Sequence, residues 1–123
     1  MKKGILLILI VLVFSCAQPT VNLLRARGIR GPHAPRVEKN RVVFSLYAPE
    51  ATLVSVVGDF NGWNPEATMM EKNEQGVWTC LLVLGRGYRY AYKFVIDGFW
   101  VADPENPLVV SDGYGGYNSL VEV

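Results

Sequence analysis

Tyr88-Arg89-Tyr90-Ala91-Tyr92-Lys93-Phe94-Val95-Ile96 alternates without a break, with Tyr, Tyr, Tyr, Phe and Ile at even positions and Arg, Ala, Lys and Val at odd ones. It runs straight into Asp97-Gly98. A period of two sends successive side chains to opposite faces of a strand, so the even face is the core face. Asp-Gly between apolar runs signals a two-residue β-hairpin turn. Folding the chain across that turn pairs Ile96 with Phe99, Val95 with Trp100 and Lys93 with Ala102. Residues directly opposite share a face, so Trp100 is expected beside Val95 and diagonal to Lys93, on the outer side of the sheet. The spacing therefore predicts an exposed indole with a cation nearby.

Working outward, other strand-length runs rich in Val, Phe, Tyr and Leu occupy 41–48, 52–57, 77–84, 99–102, 108–110 and 117–123. Gly, Pro, Asn and Asp separate them, and no helical apolar stripe interrupts them. With 88–96, seven short strands in about 80 residues point to an all-β, immunoglobulin-like β-sandwich. A domain of that size buries about 60% of its unfolded surface, enough for a core of its own. Trp78, at the start of an apolar run, is expected in that core or at its rim.

Gly58-Asp59-Phe60-Asn61-Gly62-Trp63-Asn64-Pro65 is dense in residues that favour tight reversals. It is expected to be a loop with Trp63 exposed near its tip.

The chain has 123 residues, room for one domain. Its near-neutral balance implies no nucleic-acid partner. The charge is unevenly spread: residues 25–41 hold six cations and one acid, whereas 42–123 hold four cations against ten carboxylates, a net of −6. Residues 1–16, MKKGILLILIVLVFSC, read as an export signal. The apolar run from Ile5 to Phe14 would rise only about 15 Å as a helix, half of the roughly 30 Å needed to span a bilayer.

Val13-Phe14-Ser15-Cys16 resembles a bacterial lipoprotein cleavage box. That resemblance implies a signal peptide over 1–15, acyl chains on Cys16, and attachment to the membrane in the bacterial cell envelope. Residues 16–40, with Pro19, Pro32, Pro35 and scattered arginines, are read as a tether. The domain itself is assigned to 41–123. Cys80 lies in an apolar run and is read as a small buried hydrophobe.

Catalysis is not expected. Seven short strands offer no cleft for the paired carboxyl groups of a glycosidase. Asp59, Asp97 and Asp103 stand beside Gly or Pro at turns and are read as turn formers. His33 is the sole histidine and falls in the tether, so neither a histidine triad nor a histidine metal site is available. No cofactor is implied.

A pyranose ring has C–H patches on its faces and hydroxyls around its rim, so its binder needs flat aromatic surfaces and a few polar groups. Trp63, Trp100, Lys93 and Asn118 fit that need. The stretches VSVVGDFNGWNP, GVW, YKFVIDGFWVADPENP and YNSLVEV, in this order, resemble the glycogen-binding domain of the AMP-activated protein kinase β subunit. They also resemble the N-terminal domains of isoamylases and branching enzymes, which form carbohydrate-binding module family 48.

The resemblance spans about 42–123 and implies an immunoglobulin-like sandwich that binds α-1,4-glucan. Trp63 and Trp100 match the stacking tryptophans, Lys93 the lysine and Asn118 the asparagine. The loop Ser111–Tyr117 departs from the kinase-type pattern, being one residue longer and richer in glycine, with Tyr114 placed to serve as a third apolar contact. Family members fused to enzymes often lose sugar binding. The rival expectation is therefore a docking domain for a separately encoded enzyme.

Overall fold

The computed structural model describes residues 31–123. The expected leader over 1–15, Cys16 and the tether as far as residue 30 lie outside the described residues. In chain order the strands are β1 (Arg36–Glu38), β2 (Arg41–Tyr47), β3 (Val54–Gly58), β4 (Glu71–Lys72), β5 (Val77–Val83), β6 (Arg89–Ile96), β7 (Phe99–Val101), β8 (Val109–Ser111) and β9 (Tyr117–Glu122). One antiparallel sheet has the order β1-β2-β5-β4; the other has the order β3-β6-β9-β8, with β7 also paired to β6. This is the immunoglobulin-like sandwich that the alternating strands require, because each sheet has one apolar face to bury.

From Arg89 onward the deciding stretch keeps its alternation, although Val95 on the outer face is buried as well. Tyr92 and Phe94 are fully buried, and Phe44 from the opposite sheet meets the Tyr92 ring at 4.9 Å, edge on. Asp97 and Gly98 have φ of 47° and 87°, the left-handed pair that a tight hairpin turn uses. The register is Phe94 with Val101, Val95 with Trp100 and Ile96 with Phe99. Trp78 is core, with its indole N–H donated to the Ala48 carbonyl at 2.8 Å. Cys80 packs against the core, and burial pushes its thiol up to about 12, so it is inert at neutral pH.

Several expectations are corrected. Tyr88 was expected on the core face, but β6 begins at Arg89 and Tyr88 is exposed. The strand expected from 52 starts at Val54, because the Asp97 carboxylate takes the backbone N–H groups of Thr52 (3.1 Å) and Leu53 (2.8 Å) out of any ladder.

The tether does not extend to residue 40. Arg36, Val37 and Glu38 pair with Val43, Val42 and Arg41. Upstream of them, the His33 N–H donates to Ser45 Oγ (2.8 Å), whose hydroxyl donates back to the His33 carbonyl (3.0 Å). A three-residue strand is too short to show a period, and β4 was missed for the same reason.

Beyond β3 the chain turns back along the free edge of that strand. Val56 N–H donates to the Thr68 carbonyl at 3.1 Å, and Met70 N–H donates to the Val54 carbonyl at 2.9 Å. This return fixes both ends of the loop that carries Trp63.

Candidate functional site

The loop after β3 opens with a 3-10 turn, Asp59–Asn61, followed by Gly62 and Trp63 at φ of 64° and 58°. A tryptophan in the left-handed region costs roughly 1–2 kcal/mol, so its surroundings must hold it there. Asn61 does much of this. Its Oδ1 accepts from Gly58 N–H (3.0 Å), and its Nδ2 donates to the Val56 carbonyl (2.9 Å) and to Thr68 Oγ1 (3.0 Å). Trp63 N–H donates to the Gly58 carbonyl at 3.1 Å.

Asp59 fixes the ring itself. One carboxylate oxygen accepts from the indole N–H (3.2 Å) and the other from Ala91 N–H on β6 (2.8 Å). Asp59 is thus more than a turn former. Trp63 is half-buried rather than held fully out in water. With its N–H engaged, the indole presents mainly its apolar surface.

Trp100 stands on β7 opposite Val95 and is 47% exposed, on the outer face as the hairpin register requires. Lys93 lies on the same face of β6, and Asn118, opposite Val110, on that of β9. Tyr114 is at the tip of the β8–β9 loop, 96% exposed. These five residues, widely spaced in sequence, line one open depression of about 330 Å3, and a sixth, Asp112, joins them.

Sequence reasoning missed Asp112. Lys93 Nζ lies 3.1 Å from its Oδ2, with the two side chains only 18% and 15% exposed. The other oxygen accepts from Tyr114 N–H (2.8 Å) and Gly116 N–H (3.0 Å). The Tyr114 amide first, and the Lys93 ammonium after it, hold this carboxyl below the usual carboxylate range. Gly116 leaves the room for this, since a Cβ there would come within 2.7 Å of Asp112 Oδ2. Asp112-Gly113 reads in sequence as loop punctuation; the signal that could have marked it is an acid inside a loop already singled out beside a lysine site.

The lining combines two indoles, a phenol, an amide and one internally neutralised ion pair. Among the described residues lining it, the one carboxylate is occupied by a cation and two amides. The arrangement suits a neutral ligand with apolar faces and a polar rim.

Residues 31–115 match the family model of carbohydrate-binding module 48 (isoamylase N-terminal domain). The match takes in Trp63, Lys93, Trp100, Asp112 and Tyr114 and stops short of Asn118. The chain is 37% identical over 93 residues to protein PTST homolog 2, chloroplastic, of Arabidopsis thaliana, covering 75% of this chain and 17% of that protein. It is 38% identical over 83 residues to protein FLOURY ENDOSPERM 6, chloroplastic, of Oryza sativa subsp. japonica, covering 68% and 15%. To the 1,4-alpha-glucan branching enzyme GlgB of Butyrivibrio fibrisolvens it is 38% identical over 93 residues, covering 73% and 14%. The chain spans less than a fifth of the length of each of these relatives. With its sandwich fold and with most of the described residues inside the match, the chain belongs to the carbohydrate-binding module 48 family.

Proposed function

We propose that the protein captures α-1,4-glucan, such as glycogen, starch or maltooligosaccharide, without chemically altering it. Trp63 and Trp100 stack on sugar rings, Lys93 and Asn118 hydrogen-bond the hydroxyls, and Tyr114 adds a third apolar contact. The observation that carries this reading is the convergence of both indoles, the lysine and the asparagine on one open depression. Membership of a carbohydrate-binding family and relatives named as 1,4-alpha-glucan branching enzymes support it.

Each hydrogen bond to a sugar hydroxyl contributes only about 0.5–1.5 kcal/mol net, because water is displaced. Stacking area therefore dominates, single rings bind weakly, and chains long enough to touch both indoles bind better. We propose further that Cys16 carries acyl chains and anchors the module to a membrane of the bacterial cell envelope. Held there, it raises the local glucan concentration near other membrane-bound proteins.

Titrating maltoheptaose or β-cyclodextrin while following tryptophan fluorescence tests the binding. A saturable change whose midpoint Trp100→Ala moves to about thirtyfold higher ligand, with the fold intact, supports it. No response at millimolar ligand overturns it in favour of a docking role for a separately encoded enzyme. Mass spectrometry of the exported protein tests the anchor, which requires an acylated Cys16 at the mature N-terminus.

A further inference from the structure

The Lys93–Asp112 pair has a consequence for ligand charge. Among the described residues lining the depression, Lys93 is the one cation and Asp112 the one anion. An ammonium at a carbohydrate site, left unpaired and mostly shielded from water, would attract phosphate or sulfate on a sugar. Here it faces a carboxylate at 3.1 Å, and the bond is not a loose surface contact. Asp112 is fixed from behind by the amides of Tyr114 and Gly116, and its own N–H donates to the Gly116 carbonyl at 3.1 Å. A carboxylate held by two loop amides, on a residue whose backbone N–H is tied into the same loop, cannot swing away cheaply when an anionic ligand approaches. The ligand would meet a fixed negative charge beside the ammonium.

We propose that Asp112 is a specificity-determining residue that restricts the site to neutral glucan and rejects chains phosphorylated on the bound glucose units. The inference rests on the glucan-binding reading given above. Asp112 acts in two ways through one set of bonds. It cancels the charge of Lys93, leaving the ammonium's remaining N–H groups to serve as ordinary hydroxyl donors. It also folds the 112–116 segment that presents Tyr114. The site's preference therefore resides in a carboxylate that need not touch the sugar at all.

The test compares maltoheptaose with a maltoheptaose bearing glucosyl 6-phosphate, titrated into the wild-type protein, Asp112→Asn and the double variant Lys93→Gln/Asp112→Asn. Asparagine keeps an oxygen for the Tyr114 and Gly116 amides while removing the charge, and the two-dimensional NMR positions of those amides report whether the loop has kept its shape. The wild type is expected to bind the neutral chain at least about fivefold more tightly than the phosphorylated one. Asp112→Asn should shift that ratio by about tenfold toward the phosphorylated chain, an electrostatic effect that fades at high salt. The double variant should lose the shift, because it depends on the unmasked Lys93.

Equal affinity of the wild type for both chains, or a ratio that Asp112→Asn leaves unmoved with the loop amides in place, overturns the inference. A shift that survives in the double variant also overturns it, since Lys93 would not be its source. Failure of the glucan reading is a separate outcome, recognised by the wild type binding neither chain.

Discussion

Tyr92 and Lys93 are neighbours on β6, point to opposite faces of one sheet, and each reaches an aspartate from the segment that follows β7. Inward, Tyr92 O–H donates to Asp103 Oδ2 at 2.7 Å; outward, Lys93 Nζ meets Asp112 at 3.1 Å. The inner aspartate is 4% exposed and belongs to a closed polar cluster. Asn106 Nδ2 donates to the Tyr92 oxygen (2.9 Å) and to the Leu120 carbonyl (2.8 Å), and Asp103 N–H donates to Ser119 Oγ (2.8 Å). The outer pair sits in a depression open to a ligand. Two polar contacts of similar length one residue apart thus serve different ends, and burial decides which. A closed, dry network couples to folding, whereas an accessible pair couples to binding.

Removing the inner aspartate is the hardest blow to that contrast. Asp103→Ala leaves the Tyr92 hydroxyl and the Glu105 N–H without their acceptor, and is expected to cost about 3 kcal/mol of stability in urea unfolding. Asp103→Asn keeps an acceptor and should lose about 1 kcal/mol. A loss from Asp103→Ala no larger than that of an exposed substitution would break the contrast.

On the outer face the effect should move from stability to affinity. Trp100→Ala is expected to weaken maltoheptaose binding by about 2 kcal/mol, some thirtyfold, while changing the urea midpoint little. The two readouts together separate a binding residue from a packing one.

The pair of aspartates also differs in the direction of its acid titration. Desolvation raises Asp103, whereas the Tyr114 amide and then Lys93 lower Asp112, both relative to the ordinary aspartate value of 3.8. The stability contributed by Asp103 is therefore fully present below 3.8 and lost as pH rises through its higher folded value. That of Asp112 is present above 3.8 and lost as pH falls through its lower folded value. Carboxyl carbon shifts followed by NMR should show Asp103 titrating at the higher pH, and the reverse order would undo the comparison. The smallest effect is expected at the loop tip, where Tyr114→Ala should weaken glucan binding only about threefold in the same fluorescence titration, its ring being almost wholly in water.

Much of this was legible in the chain, and the reason differs from part to part. The period of 88–96 and the Asp97-Gly98 turn fixed the core face, the hairpin and the outward placing of Trp100, because alternation and turn chemistry are properties of adjacent residues. The same local logic assigned Trp78 to the core and misplaced only strand ends, as at Val54, where a distant carboxylate intervened. Asp59 and Asp103 were recognisable as turn formers. Their second bonds, to the Trp63 indole and the Tyr92 hydroxyl, were not.

The sequence by itself determined the sandwich and the face on which Trp100 and Lys93 emerge, since these follow from periods of two and from residues within a few positions of one another, while Asn118 and Tyr114 became candidate contacts through the family resemblance. Only the tertiary structure decided that Asp112 would reach Lys93 from 19 positions away, that Asp59 would steer Trp63, and that residues 36–38 would complete a sheet. Such contacts depend on how loops land once strands have paired. No local pattern encodes the landing, because its free energy comes from the packed sandwich as a whole.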